Sequence, residues 1–301
     1  VGIGTVGDSV VHALALRHTR NDRYRAIVEA LGAGDRFAGE VAHLGEFEPF
    51  EQGLFVASEM LIDGFLHLLQ CGVIKRRVYD DVYLQRLLNQ GAIGEDVTPA
   101  TFDALVSAGA VSRTLTSDDV DYLVHFGVFR QGVRWAEGEL IGPDGRRYPA
   151  NLDDADDPHH AMESCLGERL NHGAVMHGGF FLGSQAFYDA LRALPEEQRQ
   201  LIRMRGISRI NQLYGHEDID RLHRRDARFI NTCMMVSLLG AATSDGLENG
   251  TVVSGVGGQF NFVDMAQALP DGHSVVNLRA TRSVRGKVES NIVWSHGHVT
   301  I

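Results

Sequence analysis

One seven-residue phrase recurs four times, as LLQCGVI, LLNQGAI, LVSAGAV and LVHFGVF, with glycines at 72, 91, 109 and 127. Each copy reads as the end of a short helix closed by a glycine, followed by two apolar residues that return to a core. Thr98-Pro99 and Thr116-Ser117-Asp118 supply start signals for the later copies. The near-constant step predicts helix-turn units stacked on one another. Arginines 76, 77, 113 and 130 follow the glycines at related offsets, and as isolated charges they read as solvated helix ends rather than an anion site.

Outside the repeat, short apolar runs alternate with helical spacing. Gly53 to Ala57 reads as a buried strand that runs into Ser58-Glu59-Met60, with a helix over Leu61 to Gln70. Glu59 is thereby expected at the carboxyl end of a strand, the edge where open α/β sheets bind ligands. Further strands are expected at Gly179 to Leu182, Arg228 to Val236, Val275 to Leu278 and Asn291 to Trp294, with helices at Ser184 to Leu194 and Phe262 to Leu269. The class is α/β: an open, mostly parallel sheet with flanking helices and an inserted helical array. Arg146 to Pro158 reads as a surface loop, and its Asp-rich run up to His160 matches no metal-ligand spacing, so no metal is expected. His172 and His177 read as packed histidines, although a glycine-rich strand end beside them could approach a substrate.

The opening Gly2-Ile3-Gly4-Thr5-Val6-Gly7 spells the dinucleotide fingerprint. Its context is wrong. Asp8 to Leu16 and Arg23 to Leu31 both have helical spacing where a second strand ending in a ribose-binding acid would be needed. The net charge of -11, with no basic run, argues against nucleic acid or an anionic membrane as partner. Cys71, Cys165 and Cys233 have no paired spacing, which fits a reducing compartment, so the cytoplasm is expected. No apolar run is long enough for a membrane span. The chain starts at Val1 inside an apolar glycine-rich motif and stops on a strand-like stretch, so it reads as a fragment of a longer protein.

Several separated motifs together resemble the acetyl-CoA hydrolase/transferase family, relatives of 4-hydroxybutyrate and acetate CoA-transferases, in its C-terminal half. Val1-Gly2-Ile3-Gly4 with Val10-Val11 is similar to the family's L-G-I-G-x-x-P-x-A-V opening, and Ala57-Ser58-Glu59-Met60-Leu61-Ile62-Asp63-Gly64 to its H-[ST]-E-x-x-x-D-G segment. Ile230-Asn231 through Gly240 resembles I-N-x-x-x-x-x-D-x-x-G, Ser254 to Phe262 resembles S-G-V-G-G-Q-x-D-F, and Ser290 to Val293 falls at S-x-I-V. Departures occur at Asn261 and Ser237, where the family has aspartates, and at Ala280 to Lys287, where it has S-T-A-K-G-G. These leave the acid substrate open. The resemblance implies a CoA-transferase-like domain formed by residues 1–77 and 171–301, interrupted by an inserted helical repeat and acidic loop at 78–170, with the family's N-terminal domain missing.

The resemblance further implies that Glu59 is the covalent catalyst of an acyl-CoA:carboxylate CoA-transferase, working by ping-pong exchange through an anhydride and a Glu59-CoA thioester. Without it, a glutamate before a helix would simply favour the helix N-terminus. Backbone amides of Gly255, Val256, Gly257 and Gly258, and of the Gly2-Ile3-Gly4 turn, are the expected oxyanion and CoA donors. Asn231 either orients the Glu59 carboxylate or serves as an ordinary strand-end hydrogen bond, and Gln259 is a candidate contact to the carboxylate or the CoA arm. Coenzyme A enters as substrate with a small carboxylic acid, no cofactor is held permanently, and a homo-oligomer is expected. Two alternatives stay open: hydrolysis of acyl-CoA through the same glutamate, and a fragment inactive alone whose helical array serves protein association.

Overall fold

In the computed structural model, which describes residues 4–301, all four repeat glycines take left-handed backbone angles, with φ of 80° at Gly72, 69° at Gly91, 77° at Gly109 and 75° at Gly127. The first part of the chain forms α1 (Thr5–Thr19), α2 (Asn21–Ala30), α3 (Ala33–Arg36), α4 (Ala38–Leu44), β1 (Val56–Leu61) and α5 (Asp63–Gln70). There follow α6 (Val82–Asn89), α7 (Pro99–Ala108), α8 (Ser117–His125), β2 (Arg134–Ala136), β3 (Glu139–Ile141), β4 (Arg147–Pro149), a 3-10 turn (Leu152–Asp154) and α9 (Pro158–Cys165). Next come β5 (Met176–Phe181), α10 (Gln185–Arg192), α11 (Glu196–Gln200), β6 (Ile202–Met204), α12 (Ile207–Asn211) and α13 (Glu217–His223). The remainder forms β7 (Arg228–Thr232), β8 (Met235–Ser237), β9 (Ala242–Thr243), α14 (Gln259–Ala268), β10 (His273–Asn277), β11 (Thr281–Val284), β12 (Lys287–Ser290) and β13 (Ile292–Val293).

The chain divides into two compact units. One comprises the described residues up to Arg76, Val175–Glu217 and Arg224–Ile301; the other comprises Arg77–Ala174 and Asp218–His223. The fold is mixed α/β with parallel strand pairing. In the first unit β1, β5 and β6 form a parallel sheet in that order, β7 pairs in parallel with β10, and β13 in parallel with β8, whose other neighbour β9 is antiparallel. Leu61, Ile62, Phe65, Leu68, Ile74 and Met176 form the main core of this unit, where α5 covers the β1–β5 sheet. Gly64 lies under α1, and a Cβ there would meet Val11 Cγ2 at 2.8 Å, so the glycine admits the α1–α5 contact.

The second unit holds the three later repeat helices. Thr98 N–H donates to Thr101 Oγ1 at 3.1 Å, and Thr116 N–H donates to Asp119 Oδ2 at 2.9 Å while Asp119 N–H returns a bond to Thr116 Oγ1, so both helices start on capping boxes. The second residue after each glycine is buried, Ile93, Val111 and Phe129, as is Val128, and they join Leu84, Phe102, Leu105 and Leu123 in one core, whereas Ala92 is exposed and Ala110 half-buried. Arg113 does not end free in solvent but spans Asp103 and Asp153 at 2.5 and 2.8 Å.

Several sequence expectations shift. The expected loop at 146–158 contains β4, which closes an antiparallel meander with β2 and β3, and the 3-10 turn; Asp157 then caps α9 by accepting from His160 N–H at 3.1 Å. The strand expected from Arg228 to Val236 is two strands, because Cys233 N–H still bonds Asn277 O of β10 whereas Met234 N–H already bonds Thr243 O of β9. The change of partner breaks the strand at Cys233-Met234. Helix α1 begins at Thr5 rather than Asp8, with Gly4 as its N-cap.

Candidate functional site

Glu59 lies inside β1, not at its carboxyl end. Gly53 has a φ of 76°, so the extended run cannot begin there, and β1 starts at Val56 and continues to Leu61 before α5 opens at Asp63. Opposite it on β5, Gly179 has no side chain to intervene: a Cβ there would stand 2.8 Å from Glu59 O and 2.2 Å from Ile207 Cδ1. The glycine lets α12 settle onto the sheet. Asn211 follows Ile207 by four residues, on the same helix face, and is thereby carried to Glu59. Its Nδ2 donates to Glu59 Oε2 at 2.6 Å, a short bond of the charge-assisted kind.

Gly258, the N-cap of α14, closes the other side. A Cβ on Gly258 would meet Glu59 Oε2 and Asn211 Nδ2 at 2.9 Å each and Phe262 Cε2 at 2.8 Å. The carboxylate therefore abuts the start of a ten-residue helix, whose first-turn amides lack intrahelical acceptors and whose dipole favours negative charge. Phe229 and Phe262 stack at 5.9 Å, and Gln259 Nε2 donates to Thr232 O at 3.3 Å, so α14 is fastened to β7 both by packing and by a hydrogen bond.

Of the residues singled out in the sequence, Glu59 and Gly258 meet directly. Gln259 is buried and spends its amide on Thr232 O rather than on the carboxylate. Asn231 sits in β7; its carbonyl accepts from Asn277 Nδ2 at 3.3 Å, and its own Nδ2 is buried with no hydrogen-bond partner among the described residues. The amide holding Glu59 is that of Asn211, which the sequence did not single out. Gly255, Val256 and Gly257 form an exposed loop leading into Gly258, with Gly257 at a φ of 53°. Gly4 is described with a φ of 119°, whereas Gly2 and Ile3 lie outside the described residues. His177 is buried and packs edge-on to Phe55 at 5.1 Å; His172 stacks on His125 at 4.4 Å. Ser237, a departure from the pattern the chain resembles, accepts from Ala241 N–H at 3.1 Å and shapes the β8–β9 turn.

Burial pushes the Cys233 thiol up, and that of Cys165 up to about 12, which disfavours either as a thiolate nucleophile. Among the described residues there is no cluster of three metal-ligating side chains and no helix long and apolar enough to cross a membrane.

Comparison with known proteins adds the following. Residues 183–301 match the family model described as the acetyl-CoA hydrolase/transferase C-terminal domain. Asn211, Asn231 and Gly255 to Gln259 lie within that stretch, and Glu59 lies before it. No curated protein matches the chain. Among solved structures, RipA from Yersinia pestis is similar, at 15% identity over 75% of this chain and 42% of that one, with a TM-score of 0.31. A RipA variant is 27% identical over 42% of this chain and 26% of that one, with a TM-score of 0.33. The chain thus spans less than half the length of these structures. Residues 183–301, which supply the amide and the helix start that hold Glu59, are thus similar to the C-terminal domain of the acetyl-CoA hydrolase/transferase family.

Proposed function

We propose that the protein transfers CoA between an acyl-CoA and a free carboxylic acid, with Glu59 as the covalent carrier. The observation that carries the reading is the placement of the Glu59 carboxylate between the Asn211 amide and the glycine-only start of α14. A glutamate oxygen attacks the acyl carbonyl carbon, and the carbonyl electron pair moves to oxygen. Collapse breaks the C–S bond, releasing CoA thiolate and leaving an acyl-glutamyl anhydride. The thiolate then attacks the glutamyl carbonyl and expels the donor carboxylate, giving a Glu59-CoA thioester and free acid. An acceptor carboxylate runs the two steps in reverse. The anhydride and the thioester are both as energy-rich as the starting thioester, so no step climbs far.

Each attack develops an oxyanion. Amides of the Gly255 to Gly258 loop and the first turn of α14 are the donors we assign to it, each worth on the order of 3 kcal/mol at the transition state. Asn211 holds the nucleophile in its attacking orientation. A second reading, hydrolysis, draws on the Asn211 Oδ1, which is buried without a hydrogen-bond partner among the described residues and could hold a water beside the glutamyl carbonyl.

A panel of short carboxylic acids offered as CoA acceptors tests the reading. Acid-dependent exchange with ping-pong kinetics is expected, lost by at least a thousandfold in Glu59→Gln. Thioester loss at the same rate with and without acid would replace transfer by hydrolysis. Full exchange by Glu59→Gln would remove Glu59 from the mechanism.

A further inference from the structure

Glu59 offers one oxygen to an incoming acyl group. Its Oε2 accepts from Asn211 Nδ2 at 2.6 Å, whereas Oε1 accepts no hydrogen bond among the described residues. In the acyl-glutamyl anhydride, the bond from Oε1 to the acyl carbon forms as the carbon–sulfur bond breaks and its electron pair leaves on CoA thiolate. At roughly 1.5 Å a bond, the first two or three carbons of the acyl group then lie within about 5 Å of Oε1. The side chains around the carboxylate therefore decide which acyl groups fit.

The side chains that the backbone brings there are hydrocarbon. Ile207 of α12 presses on Gly179, the same glycine that Glu59 O approaches from β1. Phe262 of α14 closes on Gly258 beside Glu59 Oε2, where a Cβ would meet them at 2.8 and 2.9 Å. Val256 and Phe260 lie two residues before and after Gly258. Ile207, Val256 and Phe260 stand on three different segments, and they are 39%, 43% and 55% exposed. Large apolar groups left open on three segments around one reactive carboxylate mark a surface for an apolar ligand.

The polar groups close by are committed or uncharged. Asn211 Nδ2 is spent on Glu59, and Gln259 Nε2 on Thr232 O at 3.3 Å. Asn261, in the first turn of α14, is neutral where the resembled pattern has an aspartate. Arg205 and Arg209, the cations nearest Ile207 in the chain, each have interactions of their own. A second carboxylate on the acyl group would lose its water here without gaining an uncommitted cation among these residues, and a hydroxyl would be pressed against hydrocarbon.

We infer that the acyl group carried by Glu59 is an unsubstituted hydrocarbon chain, free of hydroxyl and of a second carboxylate, and that Ile207 and Phe260 select it. The inference rests on the CoA-transfer reading above and adds to it the class of acid that is served. A hydrocarbon site favours one added methylene by about 10- to 200-fold and disfavours a hydroxyl in place of a methyl by about a hundredfold.

Exchange from acetyl-CoA tests it, with 3-methylbutanoate, its isostere 3-hydroxybutanoate, butanedioate or propanoate as acceptor and the acyl-CoA products separated by chromatography. The kcat/KM for 3-methylbutanoate should exceed that for 3-hydroxybutanoate by about tenfold or more, and that for butanedioate by about a hundredfold. Ile207→Ala and Phe260→Ala should each lower the ratio of 3-methylbutanoate to propanoate by about tenfold. A general loss of folding, or of Glu59 positioning, would leave that ratio where it was. Equal use of the two isosteres would overturn the inference, as would ratios unchanged in both variants. Glu59→Gln separates it from the transfer reading: saturation-transfer NMR should still detect 3-methylbutanoate on that variant, and not 3-hydroxybutanoate. Such binding without any exchange by the unaltered protein would count against the CoA-transfer reading alone, whereas equal binding of both acids would count against the hydrocarbon selectivity.

Discussion

Glu59 is positioned by two residues that a small change in either would disturb. Replacing Gly258 by alanine puts a Cβ within 2.9 Å of both Glu59 Oε2 and Asn211 Nδ2. Overpacking of this kind costs about 1–3 kcal/mol, and the displaced carboxylate should lower kcat by roughly tenfold or more, read from melts and steady-state rates on the same sample. Asn211→Ala removes a hydrogen bond to a charged group, worth about 1.5–3 kcal/mol of stability, so the melting temperature should fall by several degrees, and the unpositioned carboxylate should lower kcat/KM by about 10- to 100-fold. A variant with unchanged kcat/KM would show that the 2.6 Å contact has no part in turnover. The sequence pointed to Glu59 and Gly258 because each sits in a short motif that resembles a family pattern; read from local chemistry alone, Glu59 would have stood as an ordinary residue before a helix. Asn211 was hidden: it lies 152 residues from Glu59, in a helix of five residues with no side-chain cap and too short to display periodicity. Its one local trace is the four-residue spacing from Ile207, which gains meaning only once Gly179 is known to admit Ile207 against the sheet.

Among the elements, the glycine-closed helices were the most legible, since a left-handed C-terminal glycine and a Thr-initiated capping box are decided within a few residues. The four glycines are nonetheless unequal. A Cβ at Gly109 would meet nothing within 4 Å, whereas one at Gly127 would meet Arg169 O at 2.6 Å and Asn171 Nδ2 at 2.7 Å. Gly109→Ala should therefore cost only the backbone term, about 1 kcal/mol. Gly127→Ala adds steric overlap and should cost about 2 kcal/mol or more. Denaturant unfolding of the two variants measures the difference, and equal losses would contradict the packing at Gly127. Strand limits were less legible. The division of Arg228 to Val236 into β7 and β8 follows from a switch of hydrogen-bond partner between Cys233 and Met234, which no pattern of apolar residues records.

At the scale of the whole molecule, the sequence disclosed the α/β class through alternating apolar runs, but not how the strands divide among small sheets, which depends on pairings between distant segments. One such pairing lies near the end of the chain, where Ala242 N–H bonds Ile301 O and Thr300 N–H bonds Ala242 O. Asp245 fastens this region: the Thr300 hydroxyl, and then His298, hold its carboxyl below the usual carboxylate value. A carboxyl with a lowered folded value stabilises the fold above its unfolded value, about pH 4, and loses that contribution as pH falls through the folded value. Asp245→Asn should accordingly lower the melting temperature at pH 7, with the difference shrinking toward pH 2–3; a difference independent of pH would contradict the assignment. The central claim concerns a covalent bond to one side chain, and peptide mass spectrometry after incubation with acyl-CoA tests it most directly. A hydroxylamine-sensitive CoA adduct on the peptide containing Glu59, absent from Glu59→Gln, is the predicted result. An adduct on another residue, or none while turnover proceeds, would contradict it.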